Sequence, residues 1–368
     1  MTRRTQIAIA AMALALVGGA YALYSWKTSA TDPRKELLDQ MPATADAVIF
    51  VDLAELRQTP FLKELYNWAP RPSEDADYQH FVHDTGFNYE TDLDRVAIAV
   101  EKQGAARRFF VIADGRFDQR KIQTYALRSG KKETRSGRDI YMVPLSEGSS
   151  EVSFTFLTDK RIALTDDGRI ADQLAAQDAQ ETAPWRTRFE RLAGSPMFVL
   201  IEQNASAADA IADQTPGGLR SPQLASLLNQ LQWISLAGKP SGEHLQVVAE
   251  GESTDERTTR QLSDFLNGAL VLAEAGLDGA KLRTELDQQT RETYLELLKS
   301  ADISRVDRGD TKSVRVVLDV SPAVLKLARN APPETTEPPK QPPAATKGKN
   351  SASAQRKAAG KHPAAQSN

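Results

Sequence analysis

Val96-Ala97-Ile98-Ala99-Val100, a turn at Gln103-Gly104, then Arg108-Phe109-Phe110-Val111-Ile112-Ala113-Asp114-Gly115 is the stretch that decides the fold. Both runs are short and rich in β-branched or aromatic residues, and turn formers separate them, so they read as a β-hairpin. The second half of the chain offers a counterpart. Trp233-Ile234-Ser235-Leu236-Ala237 leads through Pro240-Ser241-Gly242 into Leu245-Gln246-Val247-Val248-Ala249-Glu250-Gly251. Both second strands end in Ala-acidic-Gly, and both feed a helix, capped by Asp118 in the first case and by Ser253 or Thr254 in the second.

Working outward, each hairpin is preceded by a buried-type strand, Ala47–Val51 or Pro196–Ile201, and a helical segment. Those segments are Leu53–Trp68, divided at Thr59-Pro60, and Ala205–Asp213. Each half closes with more strand: Ile140–Pro144, Val152–Leu157 and Arg161–Thr165, against Ile303–Asp307 and Ser313–Val320. Leu262, Phe265, Leu266, Ala269, Leu270 and Ala273 form a core-facing helical stripe, and Lys281–Ser300 predicts a second amphipathic helix. The expected class is α+β, with two similar strand–helix–hairpin–helix–strand units and mostly antiparallel sheet. The units span 31–180 and 181–330, with Thr165–Gly194 as the join between them.

Both ends differ from this body. No charge occurs from Thr5 to Trp26, and Ile7 to Trp26 offers about 20 residues, enough to cross a bilayer as a helix. Tyr21, Tyr24 and Trp26 lie at its far end, where amphipathic rings favour the interface. Residues 1–30 are therefore expected to be a signal-anchor and transmembrane helix. A signal peptide cleaved after Ala20-Tyr21-Ala22 is the alternative, and a buried core helix the plainest one. Arg3 and Arg4 favour a cytoplasmic N-terminus and an extracytoplasmic body, although Lys27, Arg34 and Lys35 oppose that bias. Residues 331–368 are rich in Pro, Ala and Lys, too poor in large apolar side chains to offset ordering entropy, and are expected to be a disordered tail.

The formal net charge is −3. Removing the local +3 of residues 1–30 and +4 of the tail leaves −10 on residues 31–330. An acidic body is not the footprint of a nucleic-acid binder. The absence of cysteine excludes disulfides, thiolate nucleophiles, Cys-ligated zinc and a lipidated cysteine.

Met41-Pro42-Ala43 leading into the strand Val48–Asp52, and Gly115-Arg116-Phe117-Asp118 opening a helix, carry a resemblance. Over about residues 41–330 the layout resembles uncharacterised bacterial envelope proteins in which a signal-anchor precedes a duplicated α+β domain. That resemblance implies an envelope location and brings no functional residues with it.

Chemistry is sparse. His80 and His83 stand three apart on a helix ending near Gly86, with Asp77 and Asp84 close by, and are weak metal candidates without a third ligand motif. Ser129-Gly130-Lys131-Lys132 satisfies S-x-x-K by letter, but its companion motifs are missing and Gly130 marks a solvated turn. Asp92-Leu93-Asp94, Asp166-Asp167-Gly168 and Glu74-Asp75-Ala76-Asp77 lack the ligand ladder of a calcium loop. No catalytic residue, cofactor or small-molecule substrate is assigned.

The reading is a membrane-anchored, extracytoplasmic, non-catalytic binding or scaffolding module, with the membrane as one partner and an envelope protein or polyanion as another. Its alternatives are an envelope hydrolase using dispersed carboxylates, and a carrier with a lipid cavity between helices 254–275 and 281–300 and the sheet. A periplasmic reporter fused after Asn368 is expected to be active in a Gram-negative host. Activity of a cytoplasmic reporter at the same position would reverse the orientation.

Overall fold

The computed structural model describes residues 33–68, 76–103, 106–144, 151–166, 183–192, 194–203 and 222–330, with single positions at 168, 170, 171 and 174. The fold is α+β with one large antiparallel sheet. The segments Ile7 to Trp26, Ala205–Asp213 and 331–368, each assigned a role from sequence, lie outside the described residues.

In chain order the strands are β1 (Ala47–Asp52), β2 (Leu93–Gln103), β3 (Ala106–Gly115), β4 (Lys131–Arg135), β5 (Arg138–Pro144) and β6 (Glu151–Thr158). Then come β7 (Arg161–Thr165), β8 (Met197–Glu202), β9 (Trp233–Ser241), β10 (His244–Ser253), β11 (Asp302–Asp307) and β12 (Lys312–Val320). They lie side by side as β11-β12-β10-β9-β8-β1-β2-β3-β7-β6-β5-β4. Both expected hairpins form, β2–β3 and β9–β10. The sheet is continuous across the join because β1 and β8 pair antiparallel. Ile49 lies opposite Val199, flanked by Val48 opposite Leu200 and Phe50 opposite Phe198.

Period-2 alternation gives this sheet two different faces. On the first, Val48, Phe50, Ala97, Ala99, Phe110, Ile112, Phe198 and Leu200 are all within 2% of full burial. They are covered by helix α1 (Pro33–Leu38) and by Trp185, whose indole N–H donates to the Pro42 carbonyl at 3.2 Å. On the second face the outer strands are covered. Helix α6 (Gln119–Ser129) packs there through Ile122 and Ala126 against Ala113, Tyr141, Phe154 and Ile162. At the other end Leu227 of α8 (Pro222–Leu228) and Leu262 of α9 (Glu256–Asp278) pack on Val314. Gly251 lets Leu231 approach the sheet there, since a Cβ would stand 2.8 Å from a Leu231 methyl.

Several local expectations are refined. The Leu53–Trp68 segment divides at Thr59-Pro60 into α2 (Leu53–Leu56) and α3 (Pro60–Trp68), as read. Helix α4 (Ala76–Thr85) stops at Gly86, whose φ of +73° is a left-handed helix end. Residues 89–92 form a single turn, α5 (Tyr89–Asp92), and Arg186–Leu192 form α7, packed on β8. Asp118 caps α6, but α9 is capped by Asp255, whose carboxylate accepts from the Arg257 and Thr258 amides, rather than by Ser253 or Thr254. Lys281–Ser300 is not one helix. It breaks at Leu286 into α10 (Ala280–Glu285) and α11 (Gln288–Lys299), because Asp287 recaps the chain on the Thr290 amide. The Lys131-Lys132 segment, read as a turn, is edge strand β4 instead, an edge bearing charge that blunts further pairing. A last helix, α12 (Pro322–Asn330), packs on α11 and α3.

The rings of Phe50 and Phe198 stack at 5.2 Å across the β1–β8 seam. Phe198→Ala is expected to lower the unfolding free energy by about 3–5 kcal/mol, read by denaturant melting of the whole chain.

Candidate functional site

Where the first face runs out of apolar residues it becomes ionic. At the end of β1 the paired positions across four neighbouring strands are Asp52, Arg95, Asp114 and Arg161. Opposite charges on adjacent strands face one another directly, the favourable cross-strand arrangement. Arg95 Nε lies 3.0 Å from Asp52 Oδ2, and Arg161 reaches both Asp114 oxygens at 2.6 and 3.0 Å. Helix α1 adds Arg34 Nε at 3.4 Å from Asp52 and Glu36 at 3.6 Å from Arg161. The Asp114 hydrogen bond, strengthened by the Asp114 and Glu36 charges, raises the Arg161 pKa further despite its burial. A cleft of about 450 Å³ opens beside this row, lined by Arg34, Asp52, Glu55, Gln58 and Arg95.

The other half has its own charged row. Glu202, Trp233, Glu252 and Ser313 stand at paired positions across β8, β9, β10 and β12. Glu252, 3% exposed, takes Arg188 at 2.9 Å and Arg191 at 2.7 Å from α7, while the Arg188 guanidinium sits 4.5 Å above the Trp233 ring. Glu250, one pair further along, accepts from Arg308, from Ser313 Oγ at 2.7 Å and from Arg315 at 3.3 Å. Burial pushes the Glu250 carboxyl up, but these hydrogen bonds and the Arg308 and Arg315 charges outweigh it and hold the group below the ordinary carboxylate range. The Ala-acidic-Gly motifs therefore do not coincide in the sheet. Asp114 occupies the pair next to Arg95, whereas Glu250 faces Ser235, and Glu252 holds the position next to Trp233.

These carboxylates are committed to arginines. A general acid needs the opposite environment, one that keeps its proton on near neutral pH. His80 and His83 sit exposed on α4, with His83 Nδ1 2.9 Å from Asp84. The His83 hydrogen bond, joined by Arg128, lowers the Asp84 pKa. The Asp77 side chain lies outside the described residues, and among those described no three His, Asp or Glu groups are placed to hold a metal. Ser129 ends α6, while Lys132 in β4 bonds Asp139 at 3.1 Å, which raises its pKa and suits it poorly to act as a base. Asp92 and Asp94 meet Arg116, and Asp94 also meets Arg57 at 2.8 Å. Asp166 accepts from the Phe109 amide at 3.1 Å, as a turn residue does.

The second sheet face is the feature that sequence reasoning missed. Over β2, β1, β8 and β9 its rows read Val100, Ala47, Ile201, Ile234; then Ile98, Ile49, Val199, Leu236; then Val96, Val51, Met197, Gly238. None of these twelve residues has a polar side chain. Yet those of Ile49, Val51, Ile98, Val100, Val199 and Ile201 are only half-buried, and Leu236 and Phe109 are 45% and 43% exposed. Helices stand on either flank, α6 on one side and α9 with α11 on the other, so the strip lies between two helical walls. The signal was present as period-2 alternation in which both phases are apolar, the mark of a strand meant to be covered on both sides.

Comparisons with known proteins come from structure alone. No protein-family profile and no curated protein matches the chain. Crystal form III of TP0453 is 13% identical, with a TM-score of 0.44, over 81% of this chain and 98% of that one. Crystal form IV is 14% identical at 0.44, over 82% and 98%, and form I 11% identical at 0.42, over 81% and 96%. Likeness this distant transfers neither fold nor function.

Breaking a buried ion pair by removing one partner costs roughly 3–5 kcal/mol, because the other charge stays buried. Glu250→Gln leaves Arg308 and Arg315 without their carboxylate, but both guanidinium groups are partly exposed, so the cost at neutral pH should be smaller, about 1–3 kcal/mol. The sign of the pH dependence follows from the lowered folded pKa. Stability from this group is present above the ordinary carboxylate pKa and is lost as pH falls through the folded value. Acid melts should therefore show a shallower loss in Glu250→Gln than in the parent.

Proposed function

We propose that the protein is an anchored, extracytoplasmic, non-catalytic binding module whose binding surface is the half-open apolar face of β2, β1, β8 and β9. The observation that carries this is the contrast between the faces: the apolar residues of one are sealed to within 2% of full burial along β1, β2 and β8, whose other face is only half-buried. A contiguous apolar strip left incompletely covered, with Phe109 and Leu236 exposed at its sides, supports an interaction site. The arginine-held carboxylates favour binding over hydrolysis.

The anchor belongs to this reading as residues 1–30, and among the described residues no helix is long and apolar enough to cross a bilayer. We also read 31–180 and 181–330 as copies of one unit. The symmetric β1–β8 register, with β2–β3 on one side and β9–β10 on the other, supports that reading.

The test is a hydrophobic fluorescent dye added to the full chain in phosphatidylcholine nanodiscs, corrected for empty discs. Leu236→Glu combined with Phe109→Glu is expected to remove at least half of the protein-dependent signal. Leu272→Glu, at an exposed apolar site on α9 away from the strip, should leave it unchanged. Equal loss in both, or substrate turnover in a broad hydrolase screen, would refute the proposal.

A further inference from the structure

We infer that the apolar strip holds a single acyl chain whose uncharged, hydroxyl-bearing head meets Gln203, the chemistry of a monoacylglycerol; this rests on the strip being the binding surface. Gln203 continues the second face one step beyond Ile201, and its backbone N–H extends the β8–β9 ladder to the Gln232 carbonyl. Its side-chain Oε1 and Nε2 are both shielded from solvent and without a hydrogen-bond partner. Leaving a buried amide unpaired costs roughly 1–3 kcal/mol, so a polar guest is favoured at this end of the nonpolar run.

The kind of head follows from the amide. Nε2 only donates and Oε1 only accepts, so satisfying both takes a donor and an acceptor together. A hydroxyl supplies the two. A carboxylate or a simple ester accepts from Nε2 and leaves Oε1 bare. The charges bordering this end point the same way. Lys102 and Arg107 oppose one another across the β2–β3 hairpin, while Asp46 and Asp166 accept from the Lys102 and Phe109 backbone amides. Among these four neither sign is in excess, so an ionised head gains nothing there.

The rest of the strip suits the chain. Ile201, Val199 and Met197 follow Gln203 along β8, with Ile49 and Leu236 on either side at mid-length. From Gln203 to Met197 is about 20 Å at roughly 3.4 Å per residue, the reach of a long saturated chain. Met197 closes the run. A Cβ on Gly238, its partner in β9, would stand 2.9 Å from Met197 Sδ, so the thioether lies over β9 at this end. The footprint is small for a protein partner or a second copy. Three strand spacings of about 4.8 Å by four residues of about 3.4 Å give roughly 200 Å², against about 800 Å² per partner in a stable interface.

The experiment uses full-length protein in phosphatidylcholine nanodiscs with a diazirine-bearing monopalmitoylglycerol, irradiated and mapped by peptide mass spectrometry. Adducts are expected within residues 47–51 and 197–201. Unlabelled monopalmitoylglycerol should compete for them at least tenfold better than methyl palmitate or palmitate, which keep the chain and lack the hydroxyl. Gln203→Leu and the closer isostere Gln203→Met should erase that preference, with the methyl ester competing as before and the melting temperature unchanged or higher. Adducts confined to residues 5–26, equal competition by palmitate or methyl palmitate in the parent, or a preference that survives both substitutions would overturn the inference. A lowered melting temperature in both variants would make the amide structural and overturn it too. If the dye still reports on the strip while the probe leaves it unlabelled, the monoacylglycerol is wrong and the binding surface stands.

Discussion

The pairing of β1 with β8 is the constraint on which the rest of the structure depends. Each is the strand that opens its half of the chain, and each would be a bare apolar edge if left alone, an invitation to aggregate. Joined at Ile49 and Val199, they make one sheet from two sets of strands and fix which side chains of the two sets share a face. Because the side-chain period is two, a slip of one residue at this seam would exchange the sealed face for the open one. The stack of Phe50 on Phe198 and the methyl contacts beside it specify the register from the sealed side.

Sealing that face creates an electrostatic difficulty at its ends, and the sequence answers it with arginine. Strands that continue past the apolar rows put Asp52, Asp114, Glu250 and Glu252 in or beside a dry interior, where an unpaired carboxylate would be costly. Guanidinium groups supply several donors each in a planar fork, so one or two per carboxylate suffice. They arrive by different routes: from neighbouring strands for Asp52, Asp114 and Glu250, and from α7 for Glu252. The helices over this face are therefore tied down at their rims by charge and at their centres by packing. The polar cleft beside Asp52 follows from that construction, and its lining charges balance one another.

Much of this was legible in the chain, and the limits have physical causes. The hairpins, the division at Thr59-Pro60, the α6 cap at Asp118 and the stripe of α9 all follow from contacts within a few residues of one another. The β1–β8 seam joins positions about 150 apart in sequence, and no local preference encodes a partner at that distance. The shared Ala-acidic-Gly misled for a related reason. Glycine and a nearby acid end many strands, so the letters matched while the pairing placed Glu252, not Glu250, level with Trp233. The histidines could be placed on one helix face by their i, i+3 spacing, but spacing says nothing of what that face meets. The open strip was hidden because apolar residues in both phases read as buried on both sides.

That last point bears on why the two faces differ. The β1–β8 register sets Asp52 and Glu202 at matching places, so the rows running outward from them can be compared directly. On the sealed face these rows differ in chemistry, Arg95 against Trp233 and Arg161 against Ser313, each accommodated by a different helix or loop arginine. On the open face the rows are apolar throughout, with nothing polar across four strands. Packing alone explains conservatism on a face that is sealed, where every methylene is felt. On the second face the same strands carry the side-chain chemistry of a sheet covered on both sides, while the helices beside it leave that chemistry partly in contact with water.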